Sequence, residues 1–337
     1  MLNWEIKKIL KDKSSIVALI LMIVSLLIII VFKPSLETQN EYLDESNNKT
    51  VIDNRSEDVI ANEKLAIKRE MIKSTIADPP DSDKTLKSIS KEKLNLDNGN
   101  KYENVDFYKV FTERIDFSLS IIIMMIIIVM LIANLYTDEI VANVSPIILS
   151  SKQKNKALYS KVIIAILLPI LVYSVYLGAT WIITYMQFGK PLNGDLQAYR
   201  IIDMAVAAKL MTINQYALAK IITTTLMLLG VSVVSLLVSF LSNNSVKSIS
   251  ISTGFIAAGR VLAEFSFLPQ QMLLLLGGGN YISVINGESK ISGFYNGQID
   301  ILSKTVDMSN LIISIYALIV IIGLLGCIYT IKKVLTK

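Results

Sequence analysis

The chain has 337 residues but no histidine, and only one cysteine, Cys327. Without histidine it lacks the commonest general base near neutral pH, and a cysteine–histidine metal site is excluded. A single cysteine cannot close an internal disulfide, so any part outside a membrane must hold together without one. Charge is sparse as well. Charged residues make up 18% of the chain and hydrophobic residues 53%, with a mean hydropathy of +0.54. Soluble domains rarely carry so much apolar side chain. The net charge of +5 could suggest nucleic acid as a partner, but most lysines sit beside apolar runs, and membrane topology accounts for them better.

What is present is Ile, Leu and Val in unbroken runs rather than spaced stripes. A bilayer core takes about 20 apolar residues in helical form. Six segments qualify: 16–32, 117–136, 162–186, 216–241, 249–268 and 309–331. The fifth is the most polar because Arg260 and Glu264 interrupt it, and Pro169 predicts a kink in the third. The first run follows Lys7, Lys8, Lys11 and Lys13 as a secretory signal would. No small-x-small cleavage site follows Phe32, so it reads as an uncleaved anchor. The expected fold is an all-α membrane protein with six transmembrane helices, an N-terminal interfacial helix over 1–15 and a helical extracellular insertion between spans one and two.

Lysine placement orients this bundle. With the N-terminus inside, the segments before span one, between spans two and three (137–161), between spans four and five, and in the tail (332–337) hold 12 lysines, ending at Lys337. The two shorter external loops, 187–215 and 269–308, hold 5 basic residues over a greater length. That asymmetry puts both termini in the cytoplasm of a multi-pass cell-membrane protein. Trp181, Tyr185 and Tyr136 suit interfacial belts, and ordinary packing explains each of them equally well.

The insertion, 33–116, carries 14 basic and 18 acidic residues, a net of −4 against +9 for the remainder. Its length removes it from the charge rule. Apolar positions Val59, Ile60, Leu65, Ile67, Ile72 and Ile76 predict a helix that Asp78-Pro79-Pro80 stops. A second helix is expected from Val105 into span two, giving a helical hairpin outside the membrane. It either captures a substrate or partner, or is a solvated spacer.

Two cytoplasmic pieces suggest a motor partner. In MLNWEIKKILKDK, Leu2, Ile6, Ile9 and Leu10 fall near one helical face, and Trp4, Glu5, Lys7 and Lys8 belong to a helix that can lie in the membrane interface. Between spans two and three, Asp138 and Glu139 leave the membrane first. A short apolar turn then carries Val141, Val144, Ile147, Ile148 and Leu149, and SSKQKNK leads to Lys161. The turn is too short to span and too apolar for an idle loop, so it wants a groove on a partner or at the membrane surface.

In these residues the chain resembles the ABC-2 type permease family, the transmembrane subunits of bacterial ABC exporters. Trp4 to Lys8 matches that family's interfacial helix, Glu139 or Asp138 its acid after span two, and Val144 to Leu149 its coupling helix. Lys152 to Lys156 matches its basic run, and Lys161 the lysine that opens span three. The family's glycine a few residues after the acid is missing from Ile140-Val141-Ala142-Asn143, and the insertion is longer than in compact members. The resemblance implies export of a hydrophobic or amphipathic peptide, antibiotic or lipid. It also implies a second permease chain, as homodimer or heterodimer, membrane lipids around both, and a separate ABC ATPase that holds ATP and Mg²⁺. The chain itself has no cofactor and no GxxxxGK[ST] loop, since Gly189-Lys190 is followed by Pro191. Leu276-Gly277-Gly278-Gly279 is glycine-rich without being the family's ATPase signature. No catalytic set is visible either. Intramembrane metalloproteases need histidine or paired acids within spans, and only Glu264 is there.

Arg260 and Glu264, four residues apart, share a helical face. They are either part of a translocation surface or a structural ion pair near the outer interface. The stretch 269–276 is apolar and too short to cross, so it is expected to be re-entrant or interfacial, ended by Gly277 to Gly279. The alternative function is a membrane-anchored sensor or immunity protein whose insertion binds a ligand. A secondary transporter would show repeated halves, and none is apparent.

Overall fold

In the computed structural model the described residues are 1–39, 41–44, 49–80, 83–97, 99, 101–301 and 304–335. Lys337, the last of the tail lysines, lies outside them. The protein is mostly helical, and six helices are long and apolar enough to cross a membrane: Lys13–Val31, Asp106–Val141, Lys154–Phe188, Ile213–Leu241, Ser245–Ala263 and Met308–Lys333.

In chain order, α1 (Leu2–Lys11) leads into the first crossing helix, α2 (Lys13–Val31). The insertion follows, with strands β1 (Glu41–Asp44) and β2 (Lys49–Ile52), then α3 (Glu57–Ala77) and α4 (Lys84–Leu96). The second crossing is composite. It comprises α5 (Asp106–Ile115), a break at Asp116, α6 (Ser118–Ile132) and the short α7 (Thr137–Val141). After α8 (Ser145–Ser150) come α9 (Lys154–Phe188), α10 (Ile213–Leu241) and α11 (Ser245–Ala263). The chain closes with α12 (Gln270–Gly279), α13 (Tyr281–Ile285), the hairpin β3 (Gln298–Ile301) and β4 (Lys304–Asp307), and α14 (Met308–Thr330). Both strand pairs are antiparallel. Six crossings leave α1, α7, α8 and the C-terminal turn at one end, the tail end, and the insertion at the other, the head end.

Helix α10 is the hub and touches α5, α6, α9, α11 and α14. Its contact with α14 is close because α14 offers glycines there. A Cβ on Gly323 would meet Val233 Cγ1 at 2.7 Å. Small residues at such crossings let backbones approach where hydrophobicity gives no preference for protein over lipid. Helix α9 contains Pro169, which has no N–H to give the carbonyl of Ala165 one turn earlier. Ser232 Oγ of α10 donates to that carbonyl at 2.6 Å. A hydroxyl on a neighbouring span thus takes over the missing bond.

Several sequence expectations need correction. The predicted helix of the insertion is present as α3, with Ile60, Leu65 and Ile72 buried but Val59 and Ile67 on the surface. The helix expected from Val105 into span two is present from Asp106 onward, with Val105 as its N-cap, but the helix that packs along α3 is α4. Helix α4 went unpredicted because its sequence, KTLKSISKEKLNL, offers few apolar positions. The insertion also contains a strand hairpin, so it is not purely helical. Helix α9 starts at Lys154, so part of the basic run belongs to the third crossing helix rather than to a loop. The crossing helix expected over 249–268 lies earlier, as Ser245–Ala263, with Asn244 accepting from the Lys247 N–H as its cap. Gly277 to Gly279 do not end the apolar stretch. They form the last turn of α12, where a Cβ on Gly279 would press on Ile312 at 3.0 Å. Asn280 ends the helix and caps α13.

At the head end, chain segments far apart in sequence fold together. The connection between α9 and α10 contains an irregular strap, 197–209, whose backbone cannot satisfy itself. Lysines from three helices of the insertion and second crossing supply the donors. Lys68 of α3 donates to the Arg200 carbonyl at 3.0 Å, and Lys109 of α5 to that of Ile201 at 2.9 Å. Lys93 of α4, fully buried, donates to the carbonyls of Ala205, Val206 and Ala208 at 2.8–2.9 Å. Burial pushes the Lys93 ammonium down to about 8, which leaves it protonated at neutral pH. In return Arg200 clamps Asp97 through two of its nitrogens, at 3.1 and 2.7 Å. The far side of the strap pairs with the last connection, Lys209 N–H to Gly293 O at 2.8 Å. Gly293 has φ +75°, and a Cβ there would lie 2.5 Å from the Tyr216 ring.

Replacing Ser232 by alanine leaves the Ala165 carbonyl unmet and is expected to cost about 1 kcal/mol. In a Pro169→Ala background the restored N–H serves that carbonyl, and the same change should cost nothing measurable. A double-mutant cycle on unfolding in detergent reads the difference. Equal costs in both backgrounds would show that the hydroxyl does not replace the lost bond.

Candidate functional site

The candidate site is the tail end, where α1, the end of the second crossing, α8 and the start of α9 meet. It is organised by one ammonium group. Lys161 of α9, with no exposed surface, donates to both oxygens of Glu5 at 2.9 and 3.0 Å. It also donates to Glu139 Oε1 at 2.6 Å and to the carbonyl of Leu135 at 3.1 Å. Lys8 of α1 reaches the same Glu139 oxygen at 3.0 Å from a partly exposed position. Two carboxylates and two ammoniums make a neutral group, which is the condition for burying charge at all. The group ties α1 to α7 and α9. Glu139 Oε2 is buried without a partner.

From Glu139 the chain must leave the bundle and turn into α8, and the turn is a Schellman motif. The Val144 N–H donates to the Glu139 carbonyl at 2.9 Å, and the Asn143 N–H to that of Ile140 at 3.0 Å. Asn143, with φ 58°, occupies the left-handed position usually held by glycine. Asparagine tolerates that conformation better than other residues with a side chain.

Helix α8 starts after Val144, with Pro146 in its first turn. Ile147 projects outward, 68% exposed, and Val141 of α7 is similarly bare. Ile148 is half-buried, and Leu149 packs on the core. Asp138 turns the other way and accepts from Ser245 Oγ at 3.0 Å, fastening α7 to the first residue of α11. Of the residues singled out from sequence, Glu5, Lys8, Glu139 and Lys161 come together. Trp4 and Lys7 lie on the outer surface of α1 and take no part in the ion group. The inward turn of Glu5 had one sequence signal, a lone acid in a basic amphipathic helix.

Arg260 and Glu264 form the ion pair of the second expectation, with a further acid beside it. Both are largely exposed, and they approach each other only to 3.7 Å. Arg260 pairs more closely with Glu288 Oε2, at 3.0 Å, and with Ser283 Oγ, at 3.1 Å. The i, i+4 spacing hid this partner, which comes from the segment after α13. The apolar cavity in the bundle lies elsewhere, between α6 and α11. It has about 440 Å³ and is lined by Met125, Ile126, Val129, Thr253 and Ile256 among others.

Two buried cations at the head end of the bundle were missed. Arg114 joins three crossing helices, donating to the carbonyl of Phe32 at 2.8 Å, to Thr184 Oγ1 at 3.0 Å and to Gln187 Oε1 at 2.6 Å. Lys220 of α10 donates to Thr112 O at 2.7 Å and Asp116 Oδ1 at 2.8 Å, at the break between α5 and α6. Single cations beside apolar runs read in sequence as interface markers, so their partners could not be seen.

Removing the central ammonium leaves two buried carboxylates facing each other. Lys161→Met is expected to destabilise the protein by about 3–5 kcal/mol, and Glu5→Gln by less, both measurable by unfolding in detergent. A Lys161→Met protein as stable as the parent would mean that the group does not hold this end together. At the turn, Asn143→Gly should be neutral, and Asn143→Val should cost about 1–2 kcal/mol in the same assay; equal behaviour would deny the left-handed geometry.

Comparison with protein-family models, with curated proteins and with solved structures gives no match, so what this end does must follow from its own geometry and charge.

Proposed function

We propose that the chain is the permease subunit of an ATP-driven ABC exporter, set in a bacterial cell membrane with the tail end in the cytoplasm and the head end outside. One observation carries this reading. Helix α8 presents a bare Ile147 on a short arm whose root, Glu139, is locked to α1 and α9 through Lys161. An exposed apolar knob on a rigid root is what a helix needs in order to receive force from a partner. A free knob on a slack loop would absorb the force.

The partner in this proposal is an ATPase subunit that binds ATP and Mg²⁺, which this chain needs no residues to hold. Asp138, Glu139, Val144, Ile147, Ile148, Leu149 and Lys161 form the coupling element. A second permease chain completes the assembly, and the sparsely buried α11 supports a protein neighbour there, since Ser250 and Thr253 are exposed along it. The apolar cavity between α6 and α11 suits a hydrophobic or amphipathic cargo. A second reading, a membrane-anchored sensor, draws support from the head, whose strap is gripped from three helices and is no slack spacer.

Ile147→Asp changes an exposed side chain and should leave the fold intact. Where the neighbouring gene encodes an ATPase, the variant co-expressed with it is expected to retain about tenfold less ATPase on purification. An unchanged amount would sink the permease reading, and a histidine kinase encoded at that position would favour the sensor.

A further inference from the structure

The break between α5 and α6 is held open by side chains from its neighbours. An interrupted helix leaves its last carbonyls without backbone donors, and here three of them are met from outside. Lys220 donates to Thr112 O at 2.7 Å, Tyr176 to Arg114 O at 2.6 Å and Tyr173 to Ile115 O at 3.2 Å. Across the break, Ser118 Oγ donates to Ile285 O at 2.5 Å. Against this junction lies a cavity of about 280 Å³, lined by Glu113, Asp116, Ser118, Lys220 and Ser292 among others. It reaches the surface beside the exposed Gly287 and Lys290. Asp116 belongs to a crossing helix, yet 37% of its side chain is open to this space.

Deeper in the bundle, three polar atoms are left without partners: Arg114 Nε, Ser120 Oγ and Thr180 Oγ1. None of the three side chains has any exposed surface. Hydroxyls in a span have a ready acceptor in the carbonyl four residues back, and Thr184, Thr223, Thr225 and Ser235 each use it. Ser120 and Thr180 do not. Both sit beside the Tyr176 hydroxyl without bonding to it, and Tyr176 is within electrostatic reach of Asp116 on the cavity wall. Thr180 lies eight residues from the end of α9, about 12 Å along the helix. Buried polar atoms that share a neighbour and lack a partner are what ordered water satisfies, at about three hydrogen bonds each. Ionisable groups at membrane depth likewise face water-filled cavities. An apolar occupant would bond none of these atoms, and the two acids and two lysines of the cavity leave no net charge to draw an ion. We propose that water fills this cavity from the head and continues past Asp116 to Ser120 and Thr180, making the outer part of the bundle a wet crevice. It closes at Met124, one turn further along α6 and fully buried. Waters in the crevice exchange partners as the two half-helices tilt, so the break flexes without stranding its polar groups.

The crevice depends neither on an ATPase partner nor on which side of the membrane the head faces. The test uses the full chain in lipid vesicles, with Cys327, the one cysteine, replaced by alanine. Single cysteines are then introduced by Ser120→Cys and Thr180→Cys, with Ser118→Cys as the cavity reference and Ser25→Cys as the dry control. Ser25 is equally buried and equally unpartnered, but it does not line the cavity. Silver ion, similar in size to water and excluded from hydrocarbon, is applied on both sides, and the thiols it spares are counted with a maleimide after denaturation. Ser120→Cys and Thr180→Cys are expected to react within about tenfold of the Ser118→Cys rate, and Ser25→Cys on the order of a hundredfold more slowly. Ser292→Trp fills the cavity and should slow the reaction at Ser120→Cys while leaving Ser25→Cys unchanged. Should one of the two deep cysteines prevent folding, the other carries the comparison. Deep cysteines as slow as Ser25→Cys would show a dry break and overturn the proposal. So would equally fast reaction at all four positions, which is general loosening, or a Ser120→Cys rate untouched by Ser292→Trp, which is entry by another route. Because no ATPase is present, failure here and failure of the Ile147 experiment are separate events.

Discussion

An ammonium group out of contact with water must be surrounded by oxygen, and Lys161 has four within hydrogen-bond distance: both of Glu5, one of Glu139 and a backbone carbonyl. That requirement shapes the tail end. Hydrophobicity brings apolar helices together but does little to fix their rotation or depth, because lipid covers the same surface equally well. The lysine does fix them, since its carboxylates come from two other helices and burial without either is prohibitive. Helix α1, short and amphipathic, would otherwise have no reason to sit where it does.

The same rule operates at the other end with different acceptors. There the oxygens belong mostly to backbone carbonyls of an irregular strap, and Lys68, Lys93 and Lys109 reach them from three helices. Irregular backbone in a buried setting must be satisfied from outside itself. Long side chains with three donors are suited to that, and Lys93 uses all three. The Arg200 pair with Asp97 then returns the favour from the strap to the insertion. Without a disulfide, which the lone buried Cys327 could not form, these contacts hold the head together.

The crossing helices were legible in the sequence because membrane hydrophobicity is local. A run such as IIIMMIIIVMLIA declares itself without any partner. The apolar turn at α8 was legible for a related reason, as apolar residues placed where a loop should be polar. The rest depended on pairing across distance. Helix α4 is gathered against α3 despite a polar sequence, the strap has no pattern of its own, and Arg260 finds Glu288 where spacing pointed to Glu264. Glu5 and Lys161 were each singled out, yet their 156-residue separation concealed that they form one group. Asn143 shows a further limit, since nothing in its neighbours marks the left-handed turn that it supplies.

The two ends are joined by α9. At 35 residues it spans about 50 Å, carrying Lys161 near one end and Thr184 and Gln187, which accept from Arg114, near the other. A long helix transmits movement only if it does not bend, and Pro169 is its weak point. The hydroxyl of Ser232 occupies the carbonyl that the proline frees, so the flaw is braced against α10, the most connected helix. In the exporter proposed above, a displacement imposed at α8 would reach the head along α9 as motion of a braced rod, arriving at the Arg114 junction where the second crossing breaks. That break lies at Asp116, which is partly exposed and pairs with the buried Lys220. It is where the rod's motion would be converted into a change between bundle and head.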